Sequence, residues 1–149
     1  MSDLFAGVRD DIADALDALL PTHSDIAQPM VDAMRHAVLG GGKRMRPLMA
    51  CAACEAFSGS FKAALPAACG LEFIHAYSLI HDDLPAMDDD ELRHGQAATH
   101  VAFGEANAIL AGDSLHSLAF QSLAEAPGLS QAAKLRCITL LSTAAGWPG

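Results

Sequence analysis

Apolar residues return every three or four positions along most of this chain, the spacing of helices that bury one face. Leu4, Phe5, Val8, Ile12, Leu16 and Leu19 form such a stripe after Ser2, a residue suited to capping, and Pro21 ends it. A second helix is predicted from about Asp25 to Leu39, broken by Gly40-Gly41-Gly42. Pro47 suits the first turn of a third helix running to Phe57 and closed by Ser58-Gly59-Ser60. From Ala63 to Leu84 the chain is apolar on nearly all sides, as expected of a helix at the centre of a bundle. A polar stretch from Asp88 to Thr99 and a short turn follow. Two further helices are predicted, from about Gly104 to Ala126, stopped by Pro127-Gly128, and from about Ser130 to Ala145. No repeat, strand alternation or low-complexity linker interrupts this pattern. The last residues, Ala144 to Gly149, read as a loop leading onward, so the chain is expected to be truncated.

Composition sharpens the fold class to all-α. Over half of the residues are apolar, with Ala and Leu prominent and aromatic residues at 5%, a mixture that loses little side-chain entropy in a helix. At 149 residues one core is the default. A net charge of −9 argues against nucleic acid as a partner. No uninterrupted apolar run reaches the roughly 18 residues of a membrane span, and the start, MSDLFAGVRDD, is acidic, so a cytoplasmic location is expected. Cys51 and Cys54 form C-x-x-C inside LMACAACEAF with no second pair, which reads as small core residues; Cys69 and Cys137 are isolated.

Charge is unevenly placed, and this is where the chemistry enters. Six of the eighteen acids lie between Asp82 and Glu91, in HDDLPAMDDDELR. Carboxylates at that density call for a divalent cation or for full solvation. Asp82 and Asp83 end an apolar helix, where the macrodipole disfavours negative charge, so a cation is expected nearby. Pro85 cannot continue the helix and lets Asp88 return beside Asp82. Arg93 follows, suited to a phosphate oxygen. Upstream, His75, Ser78 and Asp82 lie three and four apart and share a face, which points His75 toward the same place; His81 reads as a hydrogen-bonded core histidine.

A second cluster, GGGKRMRP from Gly40 to Pro47, lacks the spacing of a nucleotide-binding P-loop. It presents Lys43, Arg44 and Arg46 on a flexible loop just before a helix, an arrangement suited to a polyanion such as a diphosphate and equally to a solvated turn.

Together GGKRMRP, LEFIHAYSLIHDDLPAMDDDELRHG and THVAFGEANAILAGDSL resemble, in order, the motifs of the polyprenyl (farnesyl/geranyl) diphosphate synthase family, over about residues 2–146. The resemblance implies an antiparallel helix bundle of the isoprenoid synthase type, of which residues 1–149 form the N-terminal part of a single domain. It implies Mg2+ on Asp82 and Asp88, with Asp83 in support and Arg93 on the diphosphate of an allylic substrate, dimethylallyl or geranyl diphosphate. Lys43, Arg46 and His75 match the positions that bind isopentenyl diphosphate. The implied activity is short-chain trans-prenyl transfer by a homodimer; the alternative is a non-catalytic diphosphate-binding half-synthase or partner subunit. Tyr77, five residues before Asp82, corresponds to the floor of the product tunnel and implies ten or fifteen carbons. His94 stands where many bacterial relatives carry a second Arg. The family's second Asp-rich motif has no counterpart after Glu91.

Overall fold

The computed structural model describes residues 2–58 and 60–147, the side chains of 2–6 and 58 excepted. The expected capping by Ser2, the apolar contribution of Leu4 and Phe5, the break at Gly59 and the last two residues of the terminal loop lie outside what is described. Among the described residues seven α-helices are defined: α1 (Ser2–Leu19), α2 (Gln28–Leu39), α3 (Met45–Ser58), α4 (Leu65–Asp82), α5 (Thr99–Phe103), α6 (Glu105–Ala124) and α7 (Gln131–Ala145). A 3-10 turn, Phe61–Ala64, leads into α4. The expected all-α bundle is present.

Two boundaries differ from the sequence reading for local reasons. The second helix begins at Gln28 and not Asp25, because Ser24 forms a turn of its own: its hydroxyl accepts from the Ala27 N–H and its N–H donates to the Gln28 side chain. The polar stretch after Asp88 is not merely a turn. It holds a small antiparallel hairpin, β1 (Leu92–Arg93) against β2 (Gln96–Ala97), joined by His94 at φ 54° and Gly95 at φ 80°. That is the two-residue turn whose mirror-image backbone matches strand twist.

The core is organised on α4. Phe73, Ala68, Cys69, Ala76 and Ile80 are buried, and α4 packs against α1, α2, α3, α6 and α7, most extensively against α6. The buried positions of α6, Ala108, Ala111, Gly112, Leu115, Ala119 and Leu123, repeat every three or four residues and most are small, so the two backbones come close. A Cβ on Gly70 would lie 3.1 Å from the Ala119 carbonyl oxygen, and one on Gly112 would lie 2.3 Å from His81 Nε2. By length and composition the segment Phe61–Asp82 could cross a membrane; here it is the helix around which the others pack. On α7 only Leu141 is buried, while Leu135 and Leu140, with Ile109 and Leu110 of α6, are exposed.

The thiols follow the core reading in part. Cys51 is buried, whereas Cys54 is half-buried with its thiol toward the Ser60 carbonyl. Burial pushes the Cys51 thiol up, and pushes Cys69 up to about 12, so both stay protonated and poorly nucleophilic.

Candidate diphosphate and metal site

Three local structures converge at the C-terminal end of α4. In the first, Leu84 and Met87 close a turn with the Met87 N–H donating to the Leu84 carbonyl at 2.8 Å; Pro85 sits at the second position, for which its fixed φ is suited. The chain then doubles back, and the Asp88 N–H donates to the Asp82 carbonyl at 2.8 Å. The Pro85 break therefore brings Asp88 beside Asp82 as the sequence predicts. Among the described residues no cation pairs with either carboxylate.

Asp83, one residue on, points elsewhere. Its side chain is 3% exposed and takes Arg93 on both oxygens, through Nε at 3.2 Å and through Nη2; Nη2 also reaches Asp90 at 3.2 Å. The hairpin carries Arg93 to this position. One edge of the guanidinium is thus fixed by carboxylates, and among the described residues Nη1 donates to nothing.

The second local structure is the loop of Gly40 to Arg44. Gly41, Gly42 and Arg44 all have positive φ, at 121°, 108° and 51°, which glycine tolerates and Arg does not favour. Arg44 is not a presented cation. Its Nη1 donates to Glu72 Oε1 at 2.6 Å and its Nη2 to the Val38 carbonyl, and the ion pair is nearly buried, at 15% and 6% exposure. Lys43 and Arg46 carry no ion pair among the described residues.

The third is the cavity between them, about 480 Å3, lined by Lys43 and Arg44 from the loop, Arg46 from the first turn of α3, Glu72 and His75 from α4, Asp83 just after it, and Arg93 and His94 from the hairpin. The structure therefore brings Lys43, Arg46, His75 and Arg93 to the lining of one cavity. Asp82 and Asp88 are outside this lining, on the adjoining rim, so the shared face with Asp82 gives His75 a neighbouring position and not the same pocket. His81 is hydrogen-bonded to the Ile109 carbonyl at 3.2 Å and stacks edge-on with Tyr77. Tyr77 also meets His116 of α6 edge-on, on a face away from the cavity lining.

His75 titrates below its ordinary value of 6.5, first because burial disfavours its charge and then because Arg46, with smaller opposing and assisting contributions from Glu72, His94 and Arg44, lies near. An imidazole harder to protonate in the fold than in the unfolded chain contributes stability above about pH 6.5 that is lost as the pH falls through the depressed value. His75→Gln is expected to flatten the fall in stability as the pH drops below about 6.5. Urea midpoints across that range check it, and equal pH slopes for the two proteins would exclude it.

A family model described as Polyprenyl synthetase matches residues 27–146. The chain belongs to the polyprenyl synthetase family. It is 50% identical over 123 residues to the farnesyl diphosphate synthase of Escherichia coli strain K12, covering 81% of this chain and 41% of that one. It is 46% identical over 143 residues to the small subunit of the heterodimeric geranylgeranyl pyrophosphate synthase of Arabidopsis thaliana chloroplasts, covering 93% and 43%. The apo crystal structure of a FPP/GFPP synthase from Zymomonas mobilis superposes with a TM-score of 0.94 at 42% identity, over 99% of this chain and 54% of that one. The chain thus spans about half the length of this polyprenyl synthetase structure, and somewhat less of the curated relatives it matches.

The hairpin and the ion pairs Arg44–Glu72 and Arg93–Asp83 are elements of the candidate site that sequence reading missed. Only the hairpin carried a local signal, a residue followed by Gly between two short segments.

Proposed function

We propose that this chain supplies the diphosphate-binding wall of a short-chain trans-prenyltransferase that condenses isopentenyl diphosphate with dimethylallyl or geranyl diphosphate. The observation that carries this reading is the cavity lined by Lys43, Arg46, His75 and Arg93, with Asp82 and Asp88 nearby and without an ion pair among the described residues. Lys43, Arg46 and His75 bind the diphosphate of isopentenyl diphosphate. Arg93, held by Asp83, turns its open Nη1 edge to the allylic diphosphate.

Among the described residues no three His, Cys, Asp or Glu side chains form a metal-holding group. Two oxygen donors nevertheless fit Mg2+, which takes one or two carboxylates and completes its shell with water and substrate phosphate. Asp82 and Asp88 would hold it, and when bound it supplies charge neutralisation for the departing diphosphate. The protein's share is orientation: two anions are held side by side so that, as the allylic carbon–oxygen bond breaks and diphosphate departs, the isopentenyl double bond is in place to form the new carbon–carbon bond, the resulting cation then losing a proton to the released diphosphate. The exposed apolar residues of α6 and α7 support a homodimer as the working form.

The test is conversion of geranyl diphosphate and labelled isopentenyl diphosphate by this chain with magnesium. Product of fifteen carbons supports the reading. A second reading, a diphosphate-binding partner subunit, is favoured by the similarity to a heterodimer's small subunit. Magnesium-dependent binding without turnover, with turnover altered in a co-purifying synthase, would select it; no binding of either diphosphate would exclude both.

A further inference from the structure

Arg44 stands between the two cavity cations Lys43 and Arg46 and differs from both in being nearly buried and fully engaged. Its backbone is in the left-handed region at φ 51°, a conformation that persists in a non-glycine residue only where its surroundings impose it. What imposes it here comes from two helices. Glu72 of α4 takes Nη1, and the Val38 carbonyl in the last turn of α2 takes Nη2. The Arg44 carbonyl in turn accepts the Leu48 N–H at 3.1 Å, closing the first turn of α3. One side chain therefore ties the glycine loop to α2 and α4 while its backbone starts α3. Glu72 lies one turn before His75 on the same helix, so the tie sets the loop's cations against the histidine opposite.

We infer that the Arg44–Glu72 pair is a positioning latch that holds Lys43 and Arg46 in place for an anion in the cavity, and that Arg44 is not itself an anion ligand. The inference rests on the reading of the cavity as a diphosphate site. Its consequence runs against simple electrostatics. Removing a carboxylate from the wall of an anion pocket raises the local potential and would tighten anion binding. If Glu72 is instead half of a latch, its loss frees the glycine loop and weakens binding.

The experiment is titration calorimetry with inorganic diphosphate, without metal, on the wild-type chain, Glu72→Gln, Arg44→Gln and the double variant, with helix content followed by circular dichroism. Each single variant is expected to weaken binding roughly tenfold, as lost support around a binding group does, and the double variant no further than either. Lys43→Ala is then introduced into the wild type and into Glu72→Gln. A latch makes the Lys43 substitution cost much less in the Glu72→Gln background, because Lys43 is already displaced; a purely structural role leaves its cost unchanged. If Glu72→Gln does not fold, Arg44→Lys, which keeps the charge but not the two-point hold, takes its place in the same comparison. Tighter or unchanged binding by Glu72→Gln, or an equal cost of Lys43→Ala in both backgrounds, overturns the latch alone. Failure of the wild-type chain to bind inorganic diphosphate overturns the reading of the cavity beneath it.

Discussion

Replacing Asp82 by Ala is expected to lower prenyl transfer by about 10²-fold or more while leaving the fold intact or slightly more stable. The two effects have opposite sign for one reason. Asp82 is the last residue of α4, where the exposed carbonyls of the helix end repel a carboxylate; relief of that repulsion is worth about 0.3–1 kcal/mol. Among the described residues no cation forms an ion pair with Asp82, and the nearby Arg93 is already engaged by Asp83. A group so placed adds little to the stability of the chain alone, which suits the proposed role of holding a cation beside a diphosphate. Its main-chain carbonyl, which holds the Asp88 N–H, is unaffected by the substitution, so the turn that brings Asp88 back should persist. Turnover with magnesium, geranyl diphosphate and labelled isopentenyl diphosphate, measured beside urea midpoints, checks both halves. Turnover within a few-fold of wild type would remove Asp82 from the proposed site, and a large drop in stability would show that its role is structural.

The contrast between Asp82 and its neighbour marks where the sequence was legible. The helices α2, α3, α4, α6 and α7 follow from apolar spacing and from Gly and Pro breaks, because those signals are local, whereas the five-residue α5 stands where the sequence predicted a short turn. The return of Asp88 to Asp82 followed from Pro85 for the same reason. Which of two adjacent aspartates is buried does not follow. Asp82 and Asp83 are identical in local character, and only the arrival of Arg93 from a hairpin ten residues on decides that Asp83 is engaged and Asp82 free. The hairpin escaped notice because two-residue strands are too short to show alternation. Arg44 was misread as a presented cation on similar grounds. Its partners, Glu72 and the Val38 carbonyl, come from other elements, and three basic residues within the four positions from Lys43 to Arg46 give no hint of which one turns inward. His75 lines the cavity with Lys43 and Arg46, a grouping that only the family resemblance implied, whereas the helical face it shares with Asp82 suggested a single pocket and Asp82 lies outside the lining.

The second large effect concerns that hairpin arginine. Arg93→Ala is expected to destabilise the fold by about 3 kcal/mol, the order found when one partner of a buried pair is removed, and to abolish binding of the allylic diphosphate. Asp83 is 3% exposed, so without Arg93 its charge must remain desolvated or take up a proton. The guanidinium itself is one third exposed, which holds the expected loss to the lower part of the usual range. Arg93→Lys should recover little, since an ammonium cannot span both oxygens of Asp83 and still offer a free edge to the cavity. Adding Asp83→Asn to Arg93→Ala removes the orphaned charge and should restore most of the stability, but not the binding. That separation is the deciding measurement. Stability recovered with binding still lost assigns Arg93 two roles, anchoring the turn through Asp83 and meeting the diphosphate through its open edge. Recovery of both would mean that Arg93 serves the fold alone and that the allylic diphosphate is held by other groups.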